Sequence, residues 1–315
     1  MNIVIMGATS HIAKGLIHRF MDKGRDHLYL FARSADSVHS FLSAIGHAEG
    51  YQYTLSADYG AFEDFPYEVI INCVGVETRN KHNCDFTRYF SVTEKFDSLA
   101  IGYLQRRNPD ALYISSSSGA VYGKGFSSPV DEGSVNSLQV NHIVPEDYYG
   151  IVRIHTEAKH RAHQGLRIVD LRVFSYFSRY INLTDGYFIT DVLQAIRENK
   201  VLVTDGTDIV RDYLHPEDLF LMVDKCIRAG RINEALDVNS SRPAAKHEIL
   251  DYFASEYGLK YEKRASSENA SATGSKSNYY STWHRASEIG YVPQFSSMDT
   301  LAQEAGYILA RRSRA

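Results

Sequence analysis

Cysteine is scarce: three in 315 residues, at Cys73, Cys84 and Cys226, far apart and with no CxxC pair. That excludes a disulfide framework and a zinc or dithiol motif, and a reducing, cytoplasmic setting is the expectation. Long apolar runs are missing too. No stretch approaches the roughly 20 residues needed to cross a bilayer, so no membrane partner is expected. The opening MNIVIMG has no basic segment and no room for the apolar core of a signal peptide. Positive charge is not in excess: 34 Lys and Arg stand against 38 Asp and Glu, a net charge of −4. With a pI near 6.4, a nucleic-acid partner held by bulk phosphate attraction is disfavoured. No internal repeat of solenoid period is found. The 13 histidines give no carboxylate-supported pair at ligand spacing on one helix face, so no metal site is expected. What is present is an ordinary globular mix, 44% hydrophobic and 23% charged, in a chain long enough for one or two domains. The 22 tyrosines are many; with one exception they read as core and pocket edge.

The opening is the most legible part. Residues 2–6 are a short apolar run rich in β-branched side chains, as a buried parallel strand should be. A turn of small residues follows over 7–13, and then Ile12, Leu16, Ile17 and Phe20 recur at helical spacing. Further strands are predicted at 27–32, 68–74, 111–115 and 165–174, and helices at 87–107 and 148–165. Strands alternating with helices predict an α/β fold, a Rossmann-type doubly wound parallel sheet covered on both faces. Beyond Ser175 the pattern loosens. Residues 176–185 have no clear period. Helices are predicted at 188–199, 216–229 and 246–257, strands at 201–204 and 235–239, and an exposed loop over 266–277. The expectation is a smaller mixed domain that interleaves with the first. Segments 1–175 and 209–240 would form the dinucleotide-binding domain, and 176–208 with 241–315 the substrate domain.

A strand that ends in Gly-x-x-small-x-x-small and opens a helix presents backbone N–H groups to an anion, and small residues admit a pyrophosphate closely. Gly7, Ser10 and Ala13 hold those positions, with Thr9, His11 and Ile12 around them; a plain strand–helix turn is the alternative. A dinucleotide fold needs a group for the adenosine ribose after the second strand. Ala32-Arg33-Ser34 offers no carboxylate there, and Arg33 can pair a phosphate by charge and fork geometry. NADP(H) is therefore favoured over NAD(H), with a solvated surface arginine as the alternative for Arg33. Asp58 with Tyr59, and Cys73, Val74 and Gly75 at the end of the 68–74 strand, are candidates for the rest of the cofactor.

Ser118-Gly119-Ala120-Val121-Tyr122-Gly123 follows the 111–115 strand, and Tyr149-Gly150-Ile151-Val152-Arg153 opens a helix about thirty residues later. Tyr149 and Arg153 stand at i and i+4 and so share a helix face. A tyrosine can move a proton at a carbinol oxygen, and a fixed cation one turn away favours its phenolate. Tyr148 is set aside, because its i+4 partner is Val152. Glu157 and Lys159 read as helix-surface charges.

With these segments the chain resembles the extended short-chain dehydrogenases/reductases, the NAD-dependent epimerase/dehydratase family that acts on nucleotide sugars. The resemblance runs over nearly the whole chain. It is carried by Gly7-x-x-Ser10-x-x-Ala13, Asn72-Cys73-Val74-Gly75, the Ser118–Gly123 turn, the Tyr149 helix, Leu171-Arg172-Val173-Phe174, Ile289-Gly290-Tyr291-Val292-Pro293, and most specifically by the segment RDYLHPEDL over 211–219.

It implies that Tyr149 is the proton donor, that Ser118 holds the substrate oxygen, and that Arg153 stands where the family has a lysine that also holds the nicotinamide ribose. That last position is the main departure. Phe174 would meet the cofactor, Gly119, Ala120 and Ser175 the sugar, and Arg211 its diphosphate; an ion pair of Arg211 with Asp212 or Asp218 is the alternative. His215 is explained by the strand–helix junction. Dehydratases of the family carry an Asp-Glu pair directly after the serine; Gly119-Ala120 occupies it here, which disfavours water elimination. Reduction of a keto group on an NDP-4-keto-6-deoxy sugar is the leading expectation. A 4-epimerase with tightly held NAD and a non-catalytic dinucleotide-binding module are the alternatives. A homodimer through the 87–107 and Tyr149 helices is expected.

Overall fold

The computed structural model describes residues 1–46, 51–76, 85–264 and 277–310. The loop expected over 266–277 falls, up to residue 276, outside them.

Buried apolar strands build one sheet. Its strands are β1 (Asn2–Met6), β2 (His27–Phe31), β3 (Tyr53–Ser56), β4 (Val69–Asn72), β5 (Leu112–Ser118) and β6 (Arg167–Val173). A seventh comes after three short strands, β7 (Ser175–Tyr176), β8 (Val201–Asp205) and β9 (Val210–Arg211), a fourth, β10 (Tyr213–Leu214), and then β11 itself (Asn233–Val238). The order is β3-β2-β1-β4-β5-β6-β11 and every pairing is parallel. Helices α1 (His11–Lys23), α2 (Ala35–Ala44), α3 (Thr87–Arg106), α4 (Pro145–Ala162), α5 (Phe188–Glu198) and α6 (Pro216–Arg228) intervene. Two apolar clusters lie on the sheet. One joins Ile3, Ile5 and Leu30 to Leu16 and Phe20 of α1 and Met222 of α6; the other joins Val4, Met6 and Ile70 to Ala100 and Leu104 of α3. This is the doubly wound Rossmann-type architecture expected.

Elements outside that sheet form smaller ones. β10 pairs with β7. β9 lies between β12 (Ala244–Ala245) and β14 (Asn278–Tyr279), and β8 pairs with β13 (Lys260–Arg264). Helices α5, α7 (Lys246–Tyr257) and α8 (Ser297–Ala310) share a third core around Phe177, Leu193, Phe253 and Leu301. No helix among the described residues is long and apolar enough to cross a membrane.

Among the boundaries that differ from expectation, those of β5 and α4 have plain physical reasons. β5 runs three residues past Ser115, because Ser116, Ser117 and Ser118 pair with Leu171, Arg172 and Val173 of β6; ladder hydrogen bonds outweigh the weak strand preference of serine. α4 starts at Pro145, since proline suits the first helical position and the Asp147 side chain accepts from Val144 N at 3.1 Å. Lys159, expected on the solvated helix surface, instead joins a buried cluster. It lies 2.5 Å from Asp97, and His160 sits between Asp97 (2.6 Å) and Asp170 (2.9 Å). Burial alone would discharge His160, but hydrogen bonds to the two carboxylates outweigh it and raise its pKa to about 9. The cluster ties α3 and α4 to β6.

Candidate active site

All seven parallel strands point their carboxyl ends to one edge, where an open α/β sheet takes its ligands. The turn after β1 lies there. Gly7 has φ 73°, and a Cβ on it would stand 3.0 Å from the Cys73 carbonyl oxygen, so both conformation and space call for glycine. Several N–H groups expected to be bare are in use. Gly7 N and Ala8 N donate to Phe31 O (2.9 and 3.0 Å), Ser10 N to Gly7 O (2.9 Å), and Ala13 N to the capping Ser10 Oγ (3.3 Å). The N–H groups of His11 and Ile12, in the first turn of α1, have no acceptor among the described residues. They are the anion-binding pair that a helix N-terminus provides, and Thr9 is exposed beside them. The His11 ring is used elsewhere: Nε2 is 2.8 Å from Ser178 Oγ, and burial holds its pKa down to about 4. Only its backbone is available to a phosphate.

Arg33 is exposed past the end of β2 and makes no ion pair among the described residues. Ser34 caps α2, accepting from Ser37 N at 3.2 Å. Asp58 is exposed and caps the following turn through Gly60 N at 2.7 Å. Tyr59 is a buttress: its hydroxyl donates to Phe31 O and accepts from Gly7 N, both at 3.2 Å. The Cys73 thiol is buried, which pushes its pKa up to about 12, so its share in any site is backbone. Val74 N donates to Asn72 Oδ1 at 3.0 Å, and Gly75 is exposed at the edge.

The second group of residues gathers at the end of β5. A Cβ on Gly150 would stand 2.7 Å from Ala120 O; α4 therefore packs backbone-close against the turn after Ser118, with Tyr149 beside the contact. Tyr149 is half-buried, its ring 5.6 Å from that of Tyr89. Arg153 is buried, with its guanidinium carbon 5.0 Å from the Tyr149 ring centre. Burial opposes the Arg153 charge, but Tyr149, by attraction and a hydrogen bond, outweighs it and the guanidinium stays above its ordinary pKa. Its Nε has no partner among the described residues.

Ser118 Oγ accepts from Ala120 N at 3.2 Å and lies 3.3 Å from the hydroxyl of Tyr279. Tyr279 carried no signal in the sequence. It lies in a two-residue strand, one of many tyrosines, and only the pairing of β14 with β9 brings it opposite Arg211. Gly119 is buried beneath Phe174, whose ring packs with Tyr122, Phe126 and Tyr279. Ser175 begins β7 at the sheet edge. Arg211 is buried, donates to Val210 O at 2.9 Å and stands 5.8 Å from the Tyr279 ring centre. Its supposed acidic partners are engaged elsewhere: Asp212 accepts from Ser240 N, and Asp218 from Gln294 N and Phe295 N. His215 caps α6, with Nδ1 accepting from Glu217 N at 3.1 Å.

Glu157 corrects the sequence reading outright. It is buried, accepts from Ser117 Oγ at 2.6 Å and pairs with Arg172 at 2.6 Å. Arg172 also donates to Tyr122 OH (2.9 Å) and stands 3.5 Å from Asp237. Glu157 lies one turn beyond Arg153 on α4, where helical periodicity alone reads a charge as solvated. The carboxylate is buried because β6 supplies its cation.

Residues 3–239 match the model of the NAD dependent epimerase/dehydratase family. No curated protein matches the sequence significantly. Among solved structures, a UDP-glucose-4-epimerase from Stenotrophomonas maltophila, with bound NAD and formylated UDP-arabinopyranose, superposes with a TM-score of 0.82 at 16% identity over 100% of both chains. A UDP-glucuronic acid 4-epimerase mutant from Bacillus cereus, in complex with NAD and UDP-4-deoxy-4-fluoro-glucuronic acid, gives 0.79 at 18% identity over 99% of this chain and 100% of that one. A dTDP-glucose 4,6-dehydratase from Bacillus anthracis in complex with NAD gives 0.77 at 15% identity over 100% and 98%. At such identities the likeness shows the fold, while the family match spans most of the chain: it belongs to the NAD-dependent epimerase/dehydratase family.

Proposed function

We propose that this chain exchanges hydride at a carbinol or keto carbon of a nucleotide-diphosphate sugar, in the direction of net reduction of a 4-keto sugar. The observation that carries the reading is the grouping of Ser118, Tyr149 and Arg153 at the carboxyl edge of the sheet, with Gly119-Ala120 where water elimination needs an acid and a base. The residues at hand fit a dinucleotide: the free N–H pair of His11 and Ile12, the closeness allowed by Gly7, and the exposed Arg33. When bound, the nicotinamide supplies the hydride. The N–H groups of His11 and Ile12 would hold its pyrophosphate, with Gly7, Thr9 and Ser10 bordering it, Arg33 and Ser34 the adenosine end, and Asp58, Tyr59, Cys73, Val74 and Gly75 the adenine side, with Phe174 near the reactive end.

Tyr149 gives its proton to the sugar oxygen as that oxygen becomes a hydroxyl. Ser118 hydrogen-bonds the same oxygen, and the Arg153 guanidinium stays beside Tyr149 to hold it in place. Gly119, Ala120 and Ser175 border the sugar. Arg211 meets the diphosphate, which a fixed guanidinium fork suits. In this reading 1–175 and 209–240 bind the dinucleotide and 176–208 and 241–315 the sugar. The molecule is a homodimer through α3 and α4, supported by the exposed Phe90 and Ile154 on those helices; sedimentation showing only a 35.6 kDa species would sink that part.

Arg33, with no carboxylate beside it, favours NADPH, and a diffusible reduced cofactor goes with net reduction. The second reading, a 4-epimerase with retained NAD, is favoured by its resemblance to solved 4-epimerases. Cofactor titration separates them. Wild type should bind NADPH at least tenfold tighter than NADH, about 1.4 kcal/mol, and oxidise one NADPH per sugar turned over. Arg33→Ala should erase the preference. Equal affinities in the wild type, or turnover without net cofactor consumption, would favour the epimerase.

A further inference from the structure

We infer that Tyr279 is a positioning residue that fixes the Ser118 hydroxyl as a one-way donor toward the reacting oxygen. The inference rests on the hydride-exchange reading above and specifies what the serine can recognise. A seryl hydroxyl has one proton to give and two lone pairs to fill. Ala120 N fills one lone pair from 3.2 Å. The Tyr279 hydroxyl, 3.3 Å away, is placed to fill the other. With both lone pairs taken, the serine has only its proton to offer a ligand.

Three features place the Tyr279 hydroxyl as a protonated partner of Ser118. Its ring is buried between Phe126 and Phe174, with centres 4.7 and 5.3 Å away, so the direction of the phenol is set by packing. Its backbone is held in β14 opposite Arg211. Burial pushes its pKa above the ordinary phenol value, outweighing the Ser118 hydrogen bond and the Arg211 charge, so it keeps its proton throughout the neutral range. Tyr279 therefore differs from Tyr149, the half-buried phenol beside a cation: one phenol moves a proton and the other holds its own. A Ser118 that can only donate meets a lone pair of the reacting oxygen and leaves the proton on that oxygen to Tyr149 alone.

Tyr279→Phe removes the oxygen and leaves the ring in its cage. With UDP-glucose, UDP-glucuronic acid and dTDP-glucose, and their 4-keto forms, as probes, kcat should fall about tenfold, the usual scale for one lost hydrogen bond. KM and the melting temperature should hold. In a Ser118→Ala background the same change should cost nothing further, because the two groups act as a unit. A readout without turnover accompanies these: the Cζ resonance of ¹³C-labelled Tyr279 in the free protein should move on Ser118→Ala. Unchanged kcat in Tyr279→Phe, an equal loss in both backgrounds, or a fixed resonance would overturn the inference. Tyr149→Phe in the same assay keeps the two readings apart. If it turns over normally, the hydride-exchange reading falls; if it is inactive while Tyr279→Phe is not, only the role of Tyr279 falls.

Discussion

Tyr149→Phe is expected to lower single-turnover NADPH oxidation by about 10²–10⁴-fold, the range for loss of a positioned general acid. The substitution keeps the ring that packs on Tyr89 and lies under Arg153, so cofactor affinity and melting temperature should stay near wild type. What disappears is the hydroxyl that the Arg153 guanidinium hydrogen-bonds. Ser118→Ala should cost less, because Tyr149 keeps its proton and Tyr279 remains at the edge of the same space. Turnover of Tyr149→Phe at the wild-type rate would reassign the site and favour a dinucleotide-binding module.

Arg153 sharpens the same experiment. A lysine at this position could swing between the phenol and a ribose. The guanidinium is planar, buried and laid over the phenol ring, and these are interactions a lysine does not reproduce. If charge alone matters, Arg153→Lys keeps turnover and Arg153→Met loses it. If the stacked fork matters, both lose it, and the side chain has become part of how Tyr149 is held.

Much of this was legible because it is local. The β1 run, the turn at Gly7 and the i, i+4 pair of Tyr149 and Arg153 are statements about neighbours in sequence, and strand–helix alternation fixes the parallel sheet. What was not legible depends on distant partners. Ser116 to Ser118 lay beyond the expected strand because β6 pairing is invisible from position 115. Glu157 and Lys159 read as solvated because Arg172 and Asp97 lie on other elements. Tyr279 had no motif, and its meaning comes from a strand that pairs only with residues near 210. The turn at Gly7 shows a subtler gap: its small residues marked an anion site, but which N–H groups stay free depends on Phe31 O, an acceptor on the neighbouring strand.

Arg172 should be a costly side chain to remove. It lies between Glu157 and Asp237, both buried, bridging 2.6 Å to one and 3.5 Å to the other, and it also holds the Tyr122 hydroxyl. Arg172→Met takes the cation that bridges both carboxylates away from them, and breaking such a buried pair costs roughly 3–5 kcal/mol. The sign of its pH dependence follows. Burial already holds the Asp237 carboxyl above its ordinary range with the cation present, and without that cation it shifts further up. A carboxyl whose folded pKa exceeds its unfolded one destabilises when ionised and recovers as pH falls through the folded pKa. Denaturant titrations should therefore show the gap between Arg172→Met and wild type widest near pH 8 and narrowing toward pH 5. Glu157→Gln combined with Arg172→Met should recover part of the loss, since one uncompensated charge is gone. Because Ser117 donates to Glu157 and Ser118 is the next residue along β5, the single variant should also turn over more slowly than its remaining folded fraction explains. A gap below about 1 kcal/mol, in the range of an exposed pair, or one that does not change with pH, would mean that water reaches these carboxylates and that the cluster does not fix the end of β5.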